Sequence, residues 1–157
     1  MKALHLIKTP VGAGWALRQI RELVKLGIAV HTALPGGGPM VGKYNAAGAI
    51  EHLLQTDFPT RGPWRFPEIA ANLSALVKKV QPDIIHSHFV GTTLTMRLAL
   101  GRGKTIPRVF QVPGPLHLEH AFFRKAELAT AGQSDFWIGS CQWTCDCYAK
   151  SGIDGDR

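Results

Sequence analysis

The first 34 residues, MKALHLIKTPVGAGWALRQIRELVKLGIAVHTAL (1–34), decide the fold. Residues 3–7 form a short apolar run of strand length. Gly12-Ala13-Gly14 follows as a turn. Ala16, Leu17, Ile20, Leu23 and Val24 then recur at helical spacing, and Gly27 ends that helix. Residues 28–34 read as a second strand, closed by Pro35. Strand, turn, amphipathic helix and strand make a crossover unit, and a crossover brings the two strands together in parallel.

The same alternation runs outward through the chain. A short helix is expected over 41–47 and a strand over 49–54, then a loop over 56–67 rich in proline. Ile69, Leu73, Leu76, Val77 and Val80 mark a helix that Pro82 stops. Residues 83–89 form a strand, 91–100 a helix broken by Gly101 and Gly103, and 108–112 a strand before Pro113-Gly114-Pro115. A helix over 119–131, a strand over 136–139 and a helix over 141–150 complete the pattern. This predicts an α/β fold: one Rossmann-like domain over 1–157, with a parallel sheet of about six strands and helices on both faces. Ligands of such sheets bind beyond the carboxyl ends of the strands. The loops to inspect are therefore 8–14, 35–43, 55–66, 88–92, 113–119 and 139–141.

Composition narrows the classes. The 157 residues are 45% apolar and 18% charged, ordinary globular usage that argues against intrinsic disorder. No apolar run is long enough for a membrane-spanning helix, and the first ten residues lack a secretory leader pattern. A cytoplasmic chain is the simplest reading. The 18 Lys+Arg exceed the 11 Asp+Glu, a formal charge of +7, which points to an anionic partner. Basic residues are scattered and no nucleic-acid motif occurs, so nucleic acid is not the expected partner. Arg18, Arg21 and Lys25 share one face of the first helix and offer weak docking to an anionic membrane surface.

Most short motifs fail on inspection. Gly12-x-Gly14 lacks the third glycine of a dinucleotide fingerprint, since Leu17 stands there, and 31–34 supplies no acidic residue. What remains is a glycine turn whose bare N–H groups can face an anion. Residues 37–43 match G-x4-G-K, but Tyr44 replaces the hydroxyl residue that holds magnesium, and Pro39 removes a phosphate-facing N–H. Gly103-Lys104-Thr105 has Leu98 at the first glycine position. Cys141, Cys145 and Cys147 lack the paired knuckles of a zinc site and read as reduced thiols. His86 and His88 alternate on one strand and share a sheet face, while His117 and His120 stand three apart at a helix start. With Glu119 or Asp83 as the third-ligand candidates, no metal spacing joins them, so no metal site is expected. Glu119 and Glu127 sit about 80° apart on one expected helix, the second of them a solvated carboxylate.

Gln81-Pro82-Asp83-Ile84-Ile85-His86-Ser87-His88 resembles the P-D-I-I-H-x-H segment of glycosyltransferase family 4. The glycine loop, its helix and Leu26-Gly27-Ile28-Ala29-Val30 are similar to that family's opening. Residues 134–140, SDFWIGS, with Tyr148 and Gly152-Ile153 beyond, resemble its strand and following helix. The resemblance covers essentially the whole chain.

It implies one half of a GT-B fold: the N-terminal, acceptor-side domain of a retaining transferase, with the C-terminal donor half as its partner. It implies a nucleotide-sugar donor, a glycan or lipid-linked acceptor and no cofactor or bound metal. Such an enzyme would be cytoplasmic or peripheral at the inner face of the membrane, and this half would be inactive alone. His88 and His117 become the candidate catalytic groups, because imidazole titrates near neutral pH. Gly12, Gly14, Pro113, Gly114, Glu119 and Ser140 become the substrate-binding candidates. Two departures stand out. Pro113 replaces the family's usual histidine, with His117 the nearby substitute, and the E-x7-E match falls in the wrong half. The rival reading is a non-enzymatic Rossmann-like domain that binds an anionic ligand or polyanion.

Overall fold

A computed structural model describes residues 1–102, 106–112, 114 and 116–152, without the side chains of Leu116 and His117. Six strands form one sheet: β1 (Lys2–Leu6), β2 (Ala29–Leu34), β3 (Ile50–Leu53), β4 (Ile84–Ser87), β5 (Arg108–Val112) and β6 (Asp135–Gly139). Their order is β3-β2-β1-β4-β5-β6, and every pairing is parallel. The chain winds outward from β1 toward β3, then returns to place β4 on the other side of β1. That reversal is the topological switch point of a doubly wound sheet.

The helices are α1 (Gly14–Lys25), α2 (Lys43–Ala46), α3 (Phe66–Val80), α4 (Val90–Leu100), α5 (Leu116–Glu119), α6 (Ala121–Thr130) and α7 (Gln142–Lys150). Strand alternation divides the core. Ile7, Val30 and Leu34 meet Ala16 and Ile20 of α1 and Tyr44 of α2 on one face. Leu4, Leu6 and Ile85 meet Leu73, Val77 and Val80 of α3 and Met96 of α4 on the other. Burying each such side chain contributes about 1.5–3 kcal/mol before entropy is set against it. A third cluster joins Phe110 and Val112 to Leu118 and Tyr148. On the α1 side of β6 the sheet is less covered, and Phe136 and Ile138 stay exposed.

Two expectations need correction. The expected loop over 56–67 ends in a 3-10 turn (Pro63–Arg65), and α3 already starts at Phe66. Pro67 sits in its first turn, where a missing N–H costs nothing. The expected helix over 119–131 is two helices broken at His120, whose backbone is extended. Glu119 and Glu127 therefore belong to different helices. Glu119 is exposed, but Glu127 is not a solvated carboxylate: it is fully buried.

Glu127 belongs to a buried ionic network. It accepts hydrogen bonds from Trp137 Nε1 at 2.9 Å and Tyr148 OH at 3.1 Å, and Arg97 Nη1 stands 4.0 Å from its Oε1. Burial first, then the Glu127 charge, pushes the Tyr148 phenol far above its ordinary range, so it stays a donor. Arg97 Nε also reaches Asp135 Oδ1 at 3.3 Å, and Arg108 Nη2 reaches Asp135 Oδ2 at 2.9 Å. Two arginines and two carboxylates thus tie α4, β5, α6 and β6 together. Removing one cation leaves a buried carboxylate undercompensated, which typically costs about 3–5 kcal/mol. Arg97→Met should lose about that much in urea unfolding; a loss below ~1 kcal/mol would show that α4 and β6 are held by packing alone.

Candidate functional site

The carboxyl ends of β1 and β4 part at the switch point, and the loops that follow them face each other there. After β1 comes the glycine turn. Gly12 has φ 82° and Ala13 φ 55°, so both occupy the left-handed region. Glycine holds that conformation without strain, whereas Ala13 must be held there by its surroundings. Its carbonyl accepts the N–H groups of Ala16 and Leu17, and its methyl packs with the α1 core. Gly12 and Gly14 are both exposed, at the N-terminal end of α1.

Other loops brace this turn. Met40 N donates to Pro10 O at 2.9 Å, and Thr56 Oγ1 donates to Ile7 O at 2.7 Å. The loop after β3 delivers Asp57 to Lys8, with Nζ and Oδ2 3.5 Å apart. Lys8 also lies over the Phe89 ring at 5.9 Å. Asp57 presses against Gly91 in the first turn of α4, where any Cβ would overlap its carboxylate. Burial pushes the Asp57 carboxyl above its ordinary value, and Lys8 works against that rise. A carboxylate at a helix N-terminus complements the positive end of the dipole. Lys8, Asp57, Phe89 and Trp15 thereby form a rim around the glycine turn.

Beneath this rim lies a cluster of three imidazoles. His5 pairs in register with His86 across β1 and β4, and His88 follows β4 on the same sheet face. The His86 and His88 rings stack with centroids 4.4 Å apart, and His5 Nδ1 stands 3.0 Å from His88 Nε2. Trp15 covers His88 at 4.9 Å between centroids. His5 is 1% exposed, His86 8% and His88 0%, so none presents an open face to solvent. His88 Nδ1 and His86 Nε2 have no hydrogen-bond partner. Desolvation, then the neighbouring His86, lowers His5 to about 3. Desolvation lowers His86 to about 4, with Gln111 acting in the opposite direction. His88 is pushed well below its ordinary value by burial and by both neighbours. All three rings are therefore neutral at physiological pH.

The other candidates spread along the same carboxyl edge. Gly114 follows β5 and is half-buried. Ser140 follows β6, is exposed, and shares a hydrogen bond with Thr144 at 3.1 Å. His120 is exposed and meets Phe123 edge-on. Pro113 lies outside the described residues, as does the His117 side chain. Cys141 is exposed, and hydrogen bonding with Thr144 holds its thiol below the ordinary value. Sequence reasoning missed His5, Lys8, Trp15 and Asp57. His5 was visible inside an apolar strand, but only strand order reveals His86 as its neighbour. Nothing local marks Asp57 as a partner of residue 8.

The architecture defines a Rossmann-like half-domain, with its exposed loops gathered at the switch point between β1 and β4. Residues 15–157 match the model of Glycosyltransferase Family 4, and the chain belongs to that family. Among solved structures it is similar to a glycosyltransferase from Rickettsia africae, with TM-score 0.69 and 14% identity over 99% of this chain and 41% of that one. It is similar to Acinetobacter baumannii MurG, with TM-score 0.66 and 14% identity over 92% of this chain and 43% of that one. It is also similar to a UDP-GlcNAc 2-epimerase from Neisseria meningitidis bound to UDP-GlcNAc, with TM-score 0.66 and 14% identity over 99% of this chain and 45% of that one. The fold is that of a GT-B domain. This chain spans less than half the length of those proteins. No curated protein matches it in sequence.

The buried rings make stability depend on acid. On unfolding, each imidazole meets water and takes a proton below about pH 6.5. In the folded chain His5 stays neutral to about 3 and His86 to about 4. The unfolded chain therefore binds more protons between about pH 4 and 6.5. Stability is full above that window and falls as pH drops through it, by about 1.4 kcal/mol per pH unit for each such ring. His86→Gln should flatten the slope by about that amount in urea titrations across the window. An unchanged slope would mean that His86 takes its proton in the folded state.

Proposed function

We propose that this chain is the acceptor-side half of a retaining enzyme that transfers a sugar from a nucleotide-sugar donor to a glycan or lipid-linked acceptor. The single observation that carries the reading is the family match over 15–157. Fold alone does not carry it, because proteins of this architecture include both a glycosyltransferase and an epimerase. Family membership also weighs against a purely binding role.

In this reading the exposed glycine turn meets the donor diphosphate, since bare N–H groups at a helix start accept an anion closely. Lys8 adds a cation at the rim. His88 acts from beneath Trp15, with His5 fixing its tautomer; His117 is the candidate acid–base group on the β5 side. Pro113, Gly114, Glu119 and Ser140 extend the substrate surface across β5 and β6. Transfer itself uses no bound metal and no cofactor. The C-terminal half supplies most donor contacts, so this half does not turn over alone. Positioning of two reactants is worth about 7–11 kcal/mol of a barrier, and one half forfeits it.

The test mixes the 157-residue chain with a separately made donor half and a panel of nucleotide sugars. Turnover is expected only from the mixture, and turnover by this chain alone would defeat the reading. In the complemented enzyme, Gly14→Val should lower transfer while the melting temperature moves by only a few degrees. A side chain at that position meets only Arg18 Nη1, at 3.9 Å from its Cβ. Loss of stability with full activity per folded molecule would assign Gly14 to the turn alone.

The proposed location is cytoplasmic, at the inner face of a membrane. No helix among the described residues is long and apolar enough to cross one. Arg18, Arg21 and Lys25 are exposed along α1, although Lys25 also pairs with Glu22 at 2.8 Å. Each basic residue near an anionic surface contributes about 1 kcal/mol, so the triple Ala variant should bind anionic vesicles about a hundredfold more weakly. Equal binding of the wild type to neutral and anionic vesicles would remove the membrane from the proposal.

A further inference from the structure

We infer that His5, His86 and His88 form a binding site for one divalent first-row transition metal ion of the zinc or cobalt type. The site is built from β1 and β4 and shares His88 with the transfer reading above: an ion held there would take the place of the His5–His88 hydrogen bond. Each of the three imidazoles offers one nitrogen, and these nitrogens lie within 4.8 Å of one another. Two are nearly in coordinating position already. Zinc–imidazole bonds of about 2.0–2.1 Å at tetrahedral angles put two ligand nitrogens about 3.3 Å apart. His5 Nδ1 and His88 Nε2 are 3.0 Å apart. An ion placed beside that line needs a widening of about 0.3 Å and a turn of both rings, whose nitrogens now point at each other. The third ring closes the set by a shift of its side chain.

The chemistry of the cluster selects the ligand. Three rings with no carboxylate among them suit zinc, cobalt, nickel or copper, and not calcium or magnesium, which need oxygen donors. Imidazole binds such an ion through the lone pair of an unprotonated ring nitrogen. His86 Nε2, buried without a hydrogen-bond partner, is left free to take the ion as the third ligand. Trp15 closes the side of His88, while His86 keeps 8% exposure beside the half-buried Gln111. That side gives the ion its route in.

The sequence predicts no metal because no recognised spacing joins the histidine pairs to Asp83 or Glu119. His5 stands 81 positions before His86 and comes beside it only through the β1–β4 pairing.

The experiment titrates the untagged 157-residue chain with cobalt and zinc chlorides, using visible d–d absorption for cobalt and a chromophoric chelator for zinc. One equivalent should bind with a dissociation constant below ~10 μM. His86→Ala and His5→Ala should each weaken it at least ~100-fold, the upper end of what losing even an outer partner of a ligand costs. Variants are compared only where circular dichroism shows a native fold; His86, at the edge of the cluster, keeps the test open if His5→Ala does not fold. Replacing Cys141, Cys145 and Cys147 with serine should change nothing. Replacing the other histidine pair, His31 and His52, whose Nδ1 and Nε2 also stand 3.0 Å apart, should change nothing either. Binding weaker than ~10 μM, a sulfur-to-cobalt charge-transfer band, loss in the serine variant, or retention in a folded His86→Ala protein would overturn the assignment.

Discussion

β1 pairs with β2 on one side and β4 on the other, and the rest of the molecule follows from that double pairing. Parallel strands need crossover connections, and the crossovers on the two sides of β1 run outward in opposite directions. The loops after β1 and β4 are therefore left without a helix packed between them. Gly12-Ala13-Gly14 and residues 88–91 border that gap. The candidate site falls there because backbone N–H groups and helix starts point into a space the fold cannot fill.

The same pairing places polar groups where packing alone would choose apolar ones. Two buried polar clusters among the described residues are built on different principles. Around Arg97 and Arg108, charges are matched, and Glu127 and Asp135 take several donors each. That cluster locks the β5–β6 end of the sheet. Around His88 the groups are neutral. Unpaired atoms remain in both clusters, His86 Nε2 and His88 Nδ1 here and Arg97 Nη2 and Arg108 Nε there, at a cost of about 1–3 kcal/mol each.

The fold was largely legible in the sequence because each run of one period ends at a glycine or proline. Gly27, Pro35, Pro82 and Gly101 all stand at real boundaries. Residues 119–131 misled because Phe122, Phe123, Ala126 and Leu128 keep a helical period right after His120, and no glycine or proline at 119–120 marks the break. Glu127 misled for a related reason. A carboxylate in an amphipathic pattern reads as solvated, and its partners Trp137 and Tyr148 lie on later elements. That the glycine turn and His88 lie at the carboxyl edge was legible, because both come in the segments after predicted strands. The positions of His5, Lys8 and Asp57 beside them were not, since those depend on strand order and on loops that meet only in the folded chain.

Charge at the rim sets what the site accepts. The backbone N–H groups of the glycine turn and Lys8 favour an anion, while Asp57 opposes one. In the free domain Lys8 and Asp57 satisfy each other at 3.5 Å, and the carboxyl is already raised by burial. In the reading proposed above, a diphosphate against the turn would compete with Asp57 for Lys8 and push that carboxyl higher still. Protonating Asp57 would relieve the repulsion, and swinging Lys8 toward the ligand would exchange one ion pair for another. Because Asp57 rests on Gly91, such an exchange would reach the first turn of α4, directly after His88 and Phe89.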